Sequence, residues 1–85
     1  MARGPHDRHQ CRLVWANITA ALDAAGMDVR NLVKVTTFLS DRRYAAANTA
    51  VRQQVLGDHE PALTVIITGI FDAKWLLEIE AVAAA

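Results

Sequence analysis

Two glutamates near the C-terminal end have a setting that could support chemistry. Glu78 and Glu80 lie two residues apart in Trp75-Leu-Leu-Glu-Ile-Glu-Ala-Val-Ala83. On an extended strand that spacing puts both carboxylates on one face, roughly 6–7 Å apart. Their sequence neighbours are apolar. A carboxylate framed by apolar groups and a like charge holds its proton more tightly than a solvated one, which suits general acid–base work or activation of a water. The same pattern also describes a solvated strand face, and spacing alone leaves both readings open.

Asn48 is the second candidate. It falls on the inward stripe of a predicted helix, with Tyr44, Ala47, Val51 and Val55. A buried amide needs hydrogen-bond partners. It either clasps nearby backbone or orients a ligand or a neighbouring subunit. The remaining candidates carry less. His6, His9 and Cys11 form His-x-x-His-x-Cys, which matches no zinc spacing and has no second half downstream, so no metal site is read here. Cys11 reads as a small core residue. Arg42, Arg43 and Arg52 read as solvated surface, and Trp15 and Trp75 as packing anchors. Gly4, Gly26, Gly57 and Gly69 are isolated, so there is no glycine-rich phosphate loop.

The elements that must hold these residues follow from periodicity. Residues 1–7 read as an irregular segment containing the Gly4-Pro5 breaker, with Asp7 as the N-cap of a first helix. Cys11, Val14, Trp15, Ile18, Ala21, Leu22 and Ala25 recur at helical spacing. Gly26 and Met27 suit a left-handed helix stop. After a short connector at 28–31, Leu32–Leu39 reads as a strand. Val33, Val35, Thr37 and Leu39 share one face, and Lys34, Thr36 and Phe38 the other. Ser40-Asp41 caps a second helix that ends at Gly57. Val65, Ile66 and Ile67, between Pro61 and Gly69, mark a further strand. From Trp75 the alternation sends Trp75, Leu77, Ile79, Ala81 and Ala83 one way, and Leu76, Glu78, Glu80 and Val82 the other. Helix, strand, helix, strand, strand is an α+β order, with two helices on one face of a small mixed sheet. The strand–helix–strand unit from Leu32 to Ile67 predicts parallel strands in a right-handed crossover.

Composition sets the outer limits. The 85 residues make one domain, 1–85. The hydrophobic share is 53%, but 16 of those residues are alanine, so the private core is small and oligomerisation is an expected remedy. Nine basic and nine acidic residues give zero formal charge, which disfavours nucleic acid and anionic membranes as partners. One cysteine excludes an internal disulfide and fits a reducing compartment. No apolar run approaches the ~20 residues of a membrane span. The chain reads as soluble and cytoplasmic.

Several blocks, in order, resemble the Rid family, also called the YjgF or reactive-intermediate deaminase family. They are Asn17-Ile18, Ala21-Leu22, Ala24-Ala-Gly-Met27, Leu32-Val-Lys-Val-Thr-Thr-Phe-Leu-Ser-Asp41, Tyr44, Asn48, Pro61-Ala62 and Glu78-Ile-Glu-Ala-Val-Ala83. The resemblance covers residues 7 to 83. It implies a chorismate-mutase-like α+β fold, assembled as a homotrimer with helices outside and small-molecule clefts between subunits. It also implies that the last strand lies antiparallel beside the Leu32–Leu39 strand. Family members hydrolyse enamines and imines to 2-keto acids and ammonia without cofactor or metal. Others carry the labels endoribonuclease or translation inhibitor. Carried over by position, Glu78 matches the glutamate that activates water, and Asn48 a cleft-lining asparagine. Leu63 stands where deaminating members hold a substrate-gripping arginine, and Val65 where a cysteine is common. These four are the expected site: Glu78 catalytic, and Asn48, Leu63 and Val65 substrate-binding.

The expected activity is therefore hydrolysis or binding of imine, enamine or related small metabolites, poor on 2-imino acids because leucine offers no guanidinium. A non-catalytic ligand-binding or interaction module is the alternative, and an endoribonuclease or translation inhibitor a lesser one. The family's first strands are missing from the chain, so its sheet is expected to be narrow.

Overall fold

The computed structural model describes residues 4–70 and 75–85, residues 4–7 by their backbone alone. Helix α1 spans Gly4–Ala24. It starts ahead of the Asp7 cap and takes in much of the segment read as irregular. Pro5 does not prevent this, because proline in a first turn lacks only a donor that would be unsatisfied there anyway. The side chains of His6 and Asp7 lie outside what is described.

The helix buries Cys11, Trp15 and Leu22, with Val14 and Ile18 partly buried between them. These positions recur every three or four residues, so one stripe faces inward. Gly26 ends the helix at φ +73°. Met27 N donates to Leu22 O at 2.8 Å and Gly26 N to Asp23 O at 3.0 Å, the paired bonds of a Schellman stop. Met27 then packs against the core.

A 3₁₀ turn, Val29–Asn31, follows, with Asp28 as its N-cap. Asp28 Oδ1 accepts from Arg30 N at 2.9 Å, and Asn31 Oδ1 accepts from Asp28 N at 3.0 Å. Strand β1 is Leu32–Leu39. A second 3₁₀ turn, Arg42–Tyr44, is capped by Asp41, whose carboxylate accepts from Arg43 N at 2.9 Å. It leads into α2, Ala45–Leu56. Strand β2 is Ala62–Ile67 and strand β3 is Leu77–Ala83.

The sheet order is β2-β1-β3. The β1–β2 pair is parallel, joined through α2, and the β1–β3 pair is antiparallel. This is the α+β arrangement expected from the element order. Both helices cover one face of the sheet, and Leu32, Val35 and Leu39 meet them in the core. The other face carries Lys34, Thr36 and Phe38 from β1, Thr64 and Ile66 from β2, and Glu78, Glu80 and Val82 from β3.

Two strand details differ from strict alternation. A bulge falls between Leu32 and Lys34. The extra residue, Val33, is 50% exposed, whereas Leu32 is buried with the core. A bulge inserts one unpaired residue and resets the phase of the strand, so Val33 does not share the face of Val35. At β3 the alternation begins only with Leu77, opposite Leu39. Ahead of it Leu76 is buried, and Trp75 is 44% exposed rather than a packing anchor. The reason is local. Leu76 N donates to Gln10 Oε1 and Leu76 O accepts from Ser40 N, both at 3.0 Å, which turns this residue inward before strand pairing starts. No described helix is long and apolar enough to cross a membrane.

Candidate active site

Strand β3 fixes Glu78 and Glu80 by register. Glu78 lies opposite Phe38, and Glu80 opposite Thr36. Both carboxylates are exposed on the open face of the sheet. Lys34 pairs with Val82, which makes it a diagonal neighbour of Glu80, about 7–8 Å away along the sheet. The open face thus holds two acids and one base beside the apolar side chains of Phe38, Ile66 and Val82.

Glu78 also borders a cavity of about 470 Å³, lined by Gln10, Leu13, Val14, Trp75, Leu77, Glu78 and Ile79. That volume suits a small-molecule site, and mostly apolar walls with a few polar groups are usual for one. The groove runs between α1 and the outer edge of β3. Gln10 fastens its floor by accepting from Leu76 N. Sequence reasoning did not nominate Gln10, Leu13 or Val14. Leu13 and Gln10 lie off the buried stripe of α1, and only the docking of β3 beside the helix brings them to Glu78.

The other expected site residues lie elsewhere. Leu63 and Val65 pair with Val35 and Thr37, both of them buried on the helix side. Cross-strand partners share a face, so Leu63 and Val65 are on the helix side too. Each stays just over 40% exposed on this edge strand of the described sheet. Asn48 is 1% exposed on the inner face of α2, and its Oδ1 has no hydrogen-bond partner among the described residues. Asn48, Leu63 and Val65 therefore belong to one side of the sheet and Glu78 to the other. A single chain does not bring the four together.

Cys11 is buried in the core and His9 is exposed, so the two do not converge. Arg43 and Asp41 approach to 3.8 Å, and the Arg43 guanidinium lies 5.2 Å from the centroid of the Tyr44 ring. At the far corner His59 Nε2 is 2.8 Å from Leu32 O. The Arg30 guanidinium donates to Asp58 at 3.0 Å and holds that carboxyl below the usual aspartate value.

A family model described as endoribonuclease L-PSP matches residues 4–85. A RutC family protein of Pyrococcus horikoshii is 34% identical over 76 residues, covering 89% of this chain and 60% of its own length. The mitochondrial protein mmf2 of Schizosaccharomyces pombe is 35% identical over 80 residues, covering 91% of this chain and 64% of its own. Among solved structures, a proposed translation initiation inhibitor from Salmonella typhimurium superposes with a TM-score of 0.87 at 29% identity. That match covers 93% of this chain and 70% of the other. A proposed endoribonuclease from Thermotoga maritima gives 0.76 at 32% identity, covering 81% and 54%. The chain thus spans about 60% of the length of the curated relatives it matches.

Proposed function

Because the chain belongs to the endoribonuclease L-PSP family, which includes the YjgF and RutC proteins, we propose that it is a deaminase-like protein acting on imines, enamines or related small metabolites. The observation that carries this reading is Glu78, an exposed carboxylate at the rim of a 470 Å³ cavity with mostly apolar walls. As a carboxylate it takes a proton from water while the water oxygen attacks the C=N carbon. Glu78 returns that proton to the nitrogen, and as the C–N bond of the tetrahedral adduct breaks the adduct's hydroxyl proton follows by the same route, so that ammonia leaves, a carbonyl remains and the carboxylate is regenerated; an enamine enters as its imine tautomer. The step needs no metal or redox partner.

The cleft is proposed to lie between subunits of a homotrimer. Leu63 and Glu78 face opposite sides of one sheet, so a site using both draws them from two copies. Leu63 supplies apolar surface and no charge, which makes 2-imino acids poor substrates. Losing a bidentate anchor for a carboxylate costs on the order of 2–5 kcal/mol.

Ammonia release from freshly generated 2-aminoacrylate is the test. Low turnover that disappears in Glu78→Gln supports the proposal. Turnover equal to that of an arginine-bearing relative overturns the role of Leu63. Activity unchanged in Glu78→Gln overturns the role of the carboxylate. A ligand that stabilises the wild type and not Glu78→Ala, with no ammonia released, points instead to the non-catalytic binding module.

A further inference from the structure

A second cavity, of about 190 Å³, lies where the end of α2 meets β2, lined by Arg52, Gln53, Leu56, Gly57, His59, Glu60 and Leu63. We propose that it binds a small zwitterionic α-amino acid with an apolar side chain. Within one chain the site lies apart from Glu78, since it opens on the helix side of the sheet, and Leu63 is the one residue it shares with the expected site.

Four features carry the assignment. Arg52 is partly buried and makes no ion pair among the described residues. A guanidinium held in a cavity without a carboxylate partner is a ready fork for one from a ligand. Glu60 supplies the opposite charge in the same lining. The C-terminal end of α2, at Leu56, adds the negative pole of the helix dipole. Leu56 and Leu63 supply apolar wall.

His59 completes the polar set. Its Nε2 lies 2.8 Å from the Leu32 carbonyl oxygen. A carbonyl only accepts, so Nε2 carries the hydrogen. In the neutral ring Nδ1 then keeps its lone pair and can accept from an ammonium group.

The charges choose the ligand. A simple carboxylate would satisfy Arg52 but meet Glu60 and the helix end unfavourably. A simple amine would satisfy those and be repelled by Arg52. A molecule carrying both charges on adjacent positions, with an apolar branch toward Leu56 and Leu63, matches every group. The volume lies below the roughly 300–1,000 Å³ of drug-sized sites, so the occupant is a metabolite of a few heavy atoms.

Isothermal titration calorimetry with L-valine, isobutyrate and isobutylamine tests this on the intact chain. L-valine is expected to bind, with each singly charged probe at least about tenfold weaker. Arg52→Gln and Glu60→Gln are each expected to weaken L-valine by about tenfold or more, the loss of one charge-assisted contact. Glu78→Gln is expected to leave it unchanged. No L-valine binding at millimolar concentration overturns the proposal, as does binding that survives Arg52→Gln. Equal binding of isobutyrate overturns the zwitterion assignment, and loss in Glu78→Gln overturns the independence of the site. Far-ultraviolet circular dichroism of each variant confirms that the fold is retained.

Discussion

Asn48 places the sharpest demand on its surroundings. Its Oδ1 is buried and unpartnered among the described residues, and an unmet buried polar atom costs about 1–3 kcal/mol. Asn48→Leu keeps the approximate shape and removes that cost. It is expected to raise stability by about 1 kcal/mol, measured by urea denaturation. Destabilisation would mean that the amide is satisfied in the assembled protein. Asp58 gives a pH prediction. Its carboxyl is held low, first by the hydrogen bond from Arg30 and then by the charge of that guanidinium. A depressed folded value stabilises the fold above the unfolded value, near 3.9, and that gain is lost as pH falls through the folded one. Both partners are well exposed, so the effect is small. Asp58→Asn is expected to lower Tm slightly at pH 7, with the difference from wild type closing as the pH drops below about 3.9.

At the scale of elements, the helix ends and the bulge decide what faces what. Gly57 caps α2 at φ 61° and ψ −123°, a conformation that side chains avoid. A Cβ there would meet nothing within 4 Å, so any penalty is backbone strain and not a clash. Gly57→Ala is expected to cost about 1–3 kcal/mol in chemical denaturation. Asp41→Ala removes the cap on the turn before α2 and is expected to cost about 1 kcal/mol by the same measurement. The bulge at Val33 shows why strand faces were only partly readable. Period-two alternation assumes continuous pairing, and one inserted residue shifts the phase of all that precede it. Alternation is regular from Val35 to Leu39 and broken at Val33. It is regular again from Leu77 to Ala83 and broken at Trp75, where side-chain and backbone hydrogen bonds to Leu76 set the chain direction.

At the scale of the molecule, the narrow sheet is the dominant fact. Among the described residues β2 is an edge strand, with Leu63, Val65, Ile66 and Ile67 each roughly 40% exposed. Uncharged, β-branched edge strands pair or pack with other chains. The proposed homotrimer would bury the open face, which includes Ile66. Ile66→Lys is expected to shift the protein from trimer to monomer in sedimentation velocity while leaving its helical circular dichroism unchanged. A wild type that sediments as a monomer at micromolar concentration would remove the intersubunit cleft.

The amino-acid sequence alone specified both described α-helices, the described strands, the Gly26 and Gly57 stops, the α+β class and the family. These rest on local rules: apolar spacing, capping side chains and turn residues act within a few positions of themselves. It also singled out Glu78 and Asn48 as residues in unusual settings. Only the tertiary structure decided that Glu78 borders a groove with Gln10 and Trp75, that Leu63 shares a cavity with Arg52, and that Leu63 and Glu78 face opposite sides. Those relations join residues far apart in the chain. They depend on strand order, on register and on which helix lies beside which edge, and no short-range pattern encodes them.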